Sequence, residues 1–338
     1  VTGGSRSPRY FKREDLERLR SLREGFLALE RRKKPVQEDD YWADERDLEL
    51  YDSTFAQRIG WKLDAVLADV AGGQPLPAAE VVLDWGCGTG IAVRRWLAAG
   101  GAATARSVHL CDHSSRASAF AARKVQEEFP DVEVRTDPPA GAPDLLLVSH
   151  VLAELGTDEE EALLAVAGEA RSVLWVEPGN RSTSGRLGAV RARLIDRHEV
   201  VAPCPHQGPC GALEGGRGTA WCHFFARPAG EVFTEGRWAE LGRELGIDLR
   251  ALPYSFLALR QRLGEPLAAP ARCRLLGRPR LTRGRAQLDV CDEHGVRVLD
   301  FLQRNDRALF RNLGESPPGP GRFDAEIEGS RITELRPR

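Results

Sequence analysis

The stretch Val81-Val82-Leu83-Asp84-Trp85-Gly86-Cys87-Gly88-Thr89-Gly90 constrains the fold of this chain more than any other. A β-branched apolar run ends in an acid and opens into a glycine loop, and Ile91 to Ala99 then carries apolar residues at helical spacing. Strand, glycine loop and helix in that order form the first crossover of a doubly wound α/β sheet. Glycines suit such a loop because it turns sharply and a ligand approaches its backbone too closely for a Cβ. The first amides of the following helix lack intrahelical acceptors and are offered to that ligand.

Spacing narrows the choice of ligand. The dinucleotide fingerprint G-x-G-x-x-G would need a glycine where Ile91 stands, whereas here the glycines run G-x-G-x-G. The stretch resembles motif I of the class I S-adenosylmethionine-dependent methyltransferases, an apolar strand followed by (D/E)-x-G-x-G-x-G. That resemblance implies a Rossmann-like α/β sheet with S-adenosyl-L-methionine as cofactor, and Asp84, Gly86, Gly88 and Gly90 in its binding loop.

The α/β rhythm continues downstream. Ser107 to Asp112 reads as a second strand ending in an acid, where a carboxylate can accept both ribose hydroxyls, so Asp112 joins the candidate site. A third strand is expected at Val132–Val134, a fourth at Asp144–Ser149, a helix at Asp158–Ala170 and a fifth strand at Val173–Glu177. Ligands in such sheets sit beyond the carboxyl ends of strands, which brings Asp137, Ser149, His150, Glu154, Glu177 and Pro178 near the site. Each of these also has a capping or packing reading. Asp137-Pro138-Pro139 is similar to the (D/N/S)-P-P-(Y/F/W) motif of amino methyltransferases, but its fourth residue is Ala140 and it precedes the fourth strand, so it reads as a turn. No catalytic base is legible.

From Val200 to Phe225 the texture changes to Cys204-Pro-His206-Gln-Gly-Pro-Cys210 and then Trp221-Cys222-His223-Phe224-Phe225. A segment so rich in Pro and Gly has too little apolar material to fix its own shape, and a metal staple would explain it. His206, His223, Cys273 and Cys291 are available as a fourth ligand. Spacing leaves zinc and an iron–sulfur cluster equally open, since four thiolates suit both. Cys87 and Cys111 read as small buried residues beside strands.

The glycine loop, Val176-Glu177-Pro178-Gly179, the CPHxGPC block, the WCHF block and the later LDVCD block together resemble the methyltransferase-like small-ribosomal-subunit assembly factors of bacteria and mitochondria. The resemblance runs from the second helical stretch through Asp292. It implies a [4Fe–4S] cluster on Cys204, Cys210, Cys222 and Cys291, with Cys273 unmatched, and the small ribosomal subunit and its rRNA as partners.

Three regions follow. Residues 1–75 form an N-terminal helical region, with one helix over Tyr10–Lys34 ending near Pro35 and a second stretch from Leu48 through Val70. Residues 76–265 form the methyltransferase-like domain, with the metal-binding insert at about 198–230, a late helix at Trp238–Leu245 and a closing strand at Tyr254–Leu259. Residues 266–338 read as a small β module, OB-like, with strands at Arg285–Val290, Val296–Leu302, Ala308–Phe310 and Phe323–Ile327. Its leading edge carries Arg272, Arg274, Arg278, Arg280, Arg283 and Arg285 with no acid among them, and Arg278, Arg280 and Arg283 are candidate RNA contacts.

A net charge of −2 gives no whole-protein attraction to nucleic acid, so such local patches must carry it. The polar start Val1–Asp15 and the short apolar runs predict neither signal peptide nor membrane span, and seven cysteines point to a reducing compartment. A cytoplasmic bacterial monomer is expected. Three functions remain open: a methyltransferase acting on the small subunit, a retained fold that clamps rRNA without turnover, and a zinc-stapled small-molecule methyltransferase.

Overall fold

The computed structural model describes residues 9–31, 41–73, 78–214, 220–262, 273–315 and 321–337. Pro35 and Arg272 lie outside them. The N-terminal region forms α1 (Arg13–Arg31), α2 (Glu45–Ser53) and α3 (Phe55–Ala71). The single helical stretch expected from Leu48 through Val70 is thus two helices, broken at Thr54. The buried Thr54 hydroxyl donates to the Leu50 carbonyl at 2.5 Å, a local bond that competes with helix continuation.

The next part alternates strand and helix: β1 (Val81–Trp85), α4 (Ile91–Ala98), β2 (Ser107–Cys111), α5 (Ser115–Glu128), β3 (Glu133–Arg135), β4 (Leu145–Ser149), α6 (Thr157–Glu169), β5 (Ser172–Pro178), α7 (Arg181–Leu194) and β6 (His198–Ala202). After it come α8 (Gly211–Glu214), β7 (Phe224–Ala226), α9 (Glu231–Thr234), α10 (Gly236–Leu245) and β8 (Leu252–Gln261). The sheet order is β3-β2-β1-β4-β5-β8-β6, with β7 paired on β8. Strands β1 to β5 are parallel, and β8 runs antiparallel between β5 and β6. This is a Rossmann-like sheet of the methyltransferase kind. Order reverses between β1 and β4, where such sheets open a crevice for ligand.

Strand β4 shows why the run DLLLVS is apolar throughout. Leu145 and Leu147 pack into the core on one face of the sheet, and Leu146 and Val148 into the core on the other. A strand covered by helices on both faces needs no polar alternation.

The C-terminal part is a closed five-stranded barrel in the order β10-β11-β13-β12-β9, made of β9 (Cys273–Thr282), β10 (Arg285–Asp292), β11 (Gly295–Leu302), β12 (Arg322–Glu328) and β13 (Arg331–Pro337). The strand expected at Ala308–Phe310 is instead part of helix α11 (Arg307–Glu315). Asp306 caps it, its Oδ1 accepting the Leu309 N–H at 2.9 Å, and Leu309, Phe310 and Leu313 turn toward the barrel core. Three apolar residues are too few to reveal a period. One carboxylate ties barrel to helices: Asp69 of α3 accepts two bonds from the buried Arg274 of β9, at 2.9 and 3.1 Å, and pairs with Arg322 of β12 at 3.5 Å. Among the described residues no helix is long and apolar enough to cross a membrane.

Candidate functional site

The glycine loop is held by its neighbour strand. The N–H groups of Gly86 and Cys87 both donate to the Cys111 carbonyl, at 2.7 and 3.1 Å. Gly86 has φ +69°, and a Cβ there would meet Val151 Cγ1 at 2.5 Å. Gly88 has φ +53°, and a Cβ there would meet nothing within 4 Å, because it would project into an open cavity. Only glycine meets both demands cheaply. Gly90 closes the loop onto α5 and does not line the cavity.

The cavity has a volume of about 1030 Å³ and brings together Asp84, Gly86, Gly88, Asp112, His150 and Glu154. Asp112 is already oriented: the Gly88 N–H donates to its Oδ2 at 2.9 Å and the Ser114 N–H to its Oδ1 at 3.0 Å. His113 Nδ1 also lies 3.1 Å from Oδ1, and since a carboxylate has about four acceptor positions, it is Oδ2 that retains capacity for a ligand hydroxyl. Asp84 is fully buried; its Oδ2 accepts from the Val93 N–H at 3.3 Å and its Oδ1 has no partner. Burial, reinforced by the charge of Asp112, pushes its carboxyl up to about 7, against the Val93 bond.

At the end of β4 His150 adopts φ +61°, uncommon for a residue with a side chain. Lys62 of α3 lies 3.0 Å from its Nε2, and an ammonium only donates, so Nε2 accepts and Nδ1 carries the proton toward Ser149 Oγ at 3.1 Å. Burial, and then Lys62 and Arg58, hold this imidazole well below the usual histidine range. Glu154 is pushed up to about 7 by burial and by Asp112. Glu177 does not line the cavity. Its Oε1 accepts from Trp175 Nε1 at 2.8 Å and from the Val151 and Leu152 N–H groups at 3.2 Å, which pins the loop that carries Glu154. Asp137 is not brought to the cavity either: its side chain is exposed and its carbonyl accepts from His109 Nδ1 at 2.6 Å.

The opposite wall was not foreseen. It comes from the N-terminal region: aromatic Phe26 and Tyr51 of α1 and α2, Tyr41 and Trp42 of the segment before α2, and the cations Arg23, Arg58 and Lys62 of α1 and α3. The signal lies in α3, where Phe55, Arg58, Ile59 and Lys62 share one helical face and two cations interrupt its apolar stripe.

A second cavity of about 260 Å³ is lined by Cys204, Cys210 and Cys222. Cys291, on β10, is not on its lining but lies near enough to raise the pKa of Cys222, and its Sγ is 3.8 Å from His206 Nε2. Burial raises the pKa of Cys204, Cys222 and Cys291, and the nearby thiols raise each further. Arg191, buried beneath the loop, donates to the carbonyls of His206 and Gly208 and opposes the rise at Cys204. Cys273 is elsewhere, in the barrel core, with its Sγ 3.5 Å from the Phe323 carbonyl. Among the described residues no three His, Cys, Asp or Glu side chains are gathered so as to hold a metal ion.

The stretch Trp221 to Phe225 alternates. Cys222 and Phe224 turn inward, to the thiol cavity and the core, while Trp221, His223 and Phe225 form a row. Trp221 stacks on His223 with centroids 4.4 Å apart; Arg181 caps the Trp221 end at 5.3 Å and Arg278 the Phe225 ring at 4.6 Å. The expected arginine stripe is divided by acids from other elements. Arg274 is buried on Asp69, Arg280 forks onto Asp289 at 2.8 and 2.9 Å, and Arg285 pairs with Asp300 at 2.9 Å. Arg278 and Arg283 remain exposed.

Structural comparison finds a candidate RNA methyltransferase from Pyrococcus horikoshii, 14% identical, covering 71% of this chain and 98% of its own, with a TM-score of 0.37. An O-methyltransferase family protein from Burkholderia thailandensis is 13% identical over 74% of this chain and 72% of its own, with a TM-score of 0.40. The fold assignment rests on strand order and not on these overlaps. No curated protein matches the chain. The family model described as mitochondrial small ribosomal subunit Rsm22 matches residues 62–312. That match takes in the glycine loop, all seven cysteines and most of the barrel, and the chain belongs to the Rsm22 family.

Proposed function

We propose that this protein binds S-adenosyl-L-methionine in the glycine-loop cavity, carries a [4Fe–4S] cluster on Cys204, Cys210, Cys222 and Cys291, and acts as a cytoplasmic monomer on the small ribosomal subunit and its rRNA. One observation carries the cofactor reading: Gly88 and Asp112 open on the same cavity, whose walls differ in charge. Its lining carries both signs: Asp84 and Glu154 from the sheet and its loops, suited to a sulfonium and an ammonium, and the cations Arg23, Arg58 and Lys62 from α1 and α3. S-adenosylmethionine carries both signs of charge. Its sulfonium is already activated, so the protein's contribution to methyl transfer is alignment of the acceptor. Ser149-His150 stands where a base-holding motif would follow β4, and His150 is held neutral, so it offers a hydrogen bond and not a proton sink at pH 7. This favours a second reading, a factor that binds cofactor and clamps rRNA without turnover.

The cysteine cavity suits the cluster in donor chemistry: Cys204, Cys210 and Cys222 line it from an irregular insert, and Cys291 of the barrel lies close enough to act on the pKa of Cys222. Arg191 and Arg274 supply positive charge beside the thiols. The cavity also exceeds the needs of one ion, given that a water occupies about 30 Å³. A zinc site with His206 is the competing arrangement, supported by its approach to Cys291. When bound, the cluster would join barrel to sheet. The cation-capped aromatic row beside it has the chemistry of a surface for unpaired bases. The test is anaerobic purification, iron and zinc analysis, calorimetric titration with S-adenosylmethionine, and methyl transfer to small subunits from a deletion strain. Absence of cofactor binding would remove the first reading; binding without transfer would favour the clamp.

A further inference from the structure

Among the described residues, the part-buried Arg58 differs from the arginines most sheltered from solvent, which have partners. Arg274 has Asp69, Arg94 has Asp52 and Glu128, and Arg191 has two loop carbonyls. Arg58 lines the cofactor cavity with its Nε fully buried and no hydrogen-bond acceptor or carboxylate at ion-pairing distance among the described residues. Its surroundings aggravate the mismatch. Arg23 reaches the same wall from α1, and Lys62 stands one helical turn farther along α3. Burial and the charge of Arg23 both weaken the hold of Arg58 on its proton, while Asp248 attracts it only from a distance. A guanidinium partly withdrawn from water, its Nε buried and no counter-charge beside it, carries a desolvation cost that a ligand anion in the cavity would offset.

We propose that Arg58, flanked by Arg23 and Lys62, is an anion subsite that receives the α-carboxylate at the methionyl end of the ligand held on the glycine loop. The proposal rests on the S-adenosylmethionine reading and specifies how that ligand is oriented. With the sulfonium and ammonium toward Asp84 and Glu154, the carboxylate is the group left to meet the cationic wall. A guanidinium presents paired N–H donors that match a carboxylate in a fork. Lys62 is engaged with His150 Nε2, so Arg58 is the donor with its bonds to give. A phosphate of bound RNA has the same oxyanion chemistry and is the other source to be separated.

The experiment titrates the full chain with S-adenosylhomocysteine, which has the carboxylate, and with 5′-methylthioadenosine, which lacks it. Arg58→Met should weaken S-adenosylhomocysteine by roughly 10- to 100-fold, the range for a hydrogen bond to a charged group. It should leave methylthioadenosine unchanged, and Arg58→Lys should recover part of the loss. Ligand-free Arg58→Met should melt at a higher temperature than the wild type, because an unanswered charge has been removed. Equal losses for both ligands, no loss for either, or a lower melting temperature would overturn the subsite. A third arm adds a single-stranded RNA oligonucleotide at saturating S-adenosylhomocysteine. Weakened RNA binding by Arg58→Met with nucleoside affinity intact would make the anion a phosphate and overturn the carboxylate assignment. Wild-type protein that binds neither nucleoside would overturn the cofactor reading itself, a result distinct from a variant that fails to discriminate.

Discussion

The glycine-loop cavity and the cysteine cavity are built in opposite ways. The first is fixed by backbone: Gly86 and Cys87 hang on the Cys111 carbonyl, and Asp112 is held by the amides of Gly88 and Ser114. The second draws its thiols from the loop before α8, the stretch before β7 and the far strand β10, with Pro and Gly between them. Burial, and then the neighbouring thiols, raise the pKa of Cys222 and Cys291, against the charge of Arg274 and Arg191. A sheet can organise a ligand site from local contacts alone.

The largest effect expected from that contrast is at Cys291. Cys291→Ser should abolish the brown colour of anaerobically purified protein, remove most of its about four irons, and free the barrel to proteases, since binding at a structural metal site is folding free energy. S-adenosylmethionine binding should survive. Cys273→Ser, buried 50 residues from its Phe323 partner, should retain full iron content. A colourless wild type with one zinc per chain, and a harmless Cys291→Ser, would remove the cluster.

Next is Gly88→Val, which should weaken S-adenosylmethionine by more than about 100-fold by filling the cavity mouth. Its melting temperature should fall modestly, consistent with about 1–3 kcal/mol for a strained φ. A variant that binds normally would mean that the ligand does not approach this loop. Asp112→Ala should cost on the order of 1.5–3 kcal/mol of cofactor affinity through loss of a charge-assisted bond. Unchanged calorimetric affinity would take Asp112 out of the site.

The smallest effect is in pH. Asp84, Glu154 and Glu177 are each raised to about 7 in the fold, chiefly by burial. The folded chain therefore holds protons that the unfolded chain releases above about pH 4, so this part of the stability is complete below pH 4 and declines as pH rises through 7. A cationic ligand favours the ionised carboxylates. The affinity of S-adenosylmethionine relative to uncharged-sulfur S-adenosylhomocysteine should thus rise from pH 6 to 8, by up to about tenfold. A ratio flat in pH would separate Asp84 and Glu154 from the sulfonium.

Legibility followed the same division. The β1 loop, Asp112, and strands β2, β4 and β5 could be read because each is a contiguous pattern whose period and ending acid are local. The cysteine blocks could be read for the same reason. The cationic wall could not, because Arg58 and Lys62 look like solvated residues until α3 is laid across the cavity mouth. The arginine stripe misled in the reverse sense: sequence showed no acid nearby, yet Asp69, Asp289 and Asp300 arrive from other elements. Helix α11 was hidden by its brevity, and Asp137 by an acid standing after β3 without turning inward.

Helix α3 has a mechanical consequence. Arg58 stands near its start and Asp69, which anchors two barrel arginines, near its end. Eleven residues of α-helix separate them by about 16 Å at a rise of about 1.5 Å per residue. A hydrogen-bonded helix of that length acts as a strut, so an axial displacement at one end is passed to the other with little loss. The cavity and the barrel are therefore joined through one helix, with Arg58 at the cavity end and Asp69 at the barrel end.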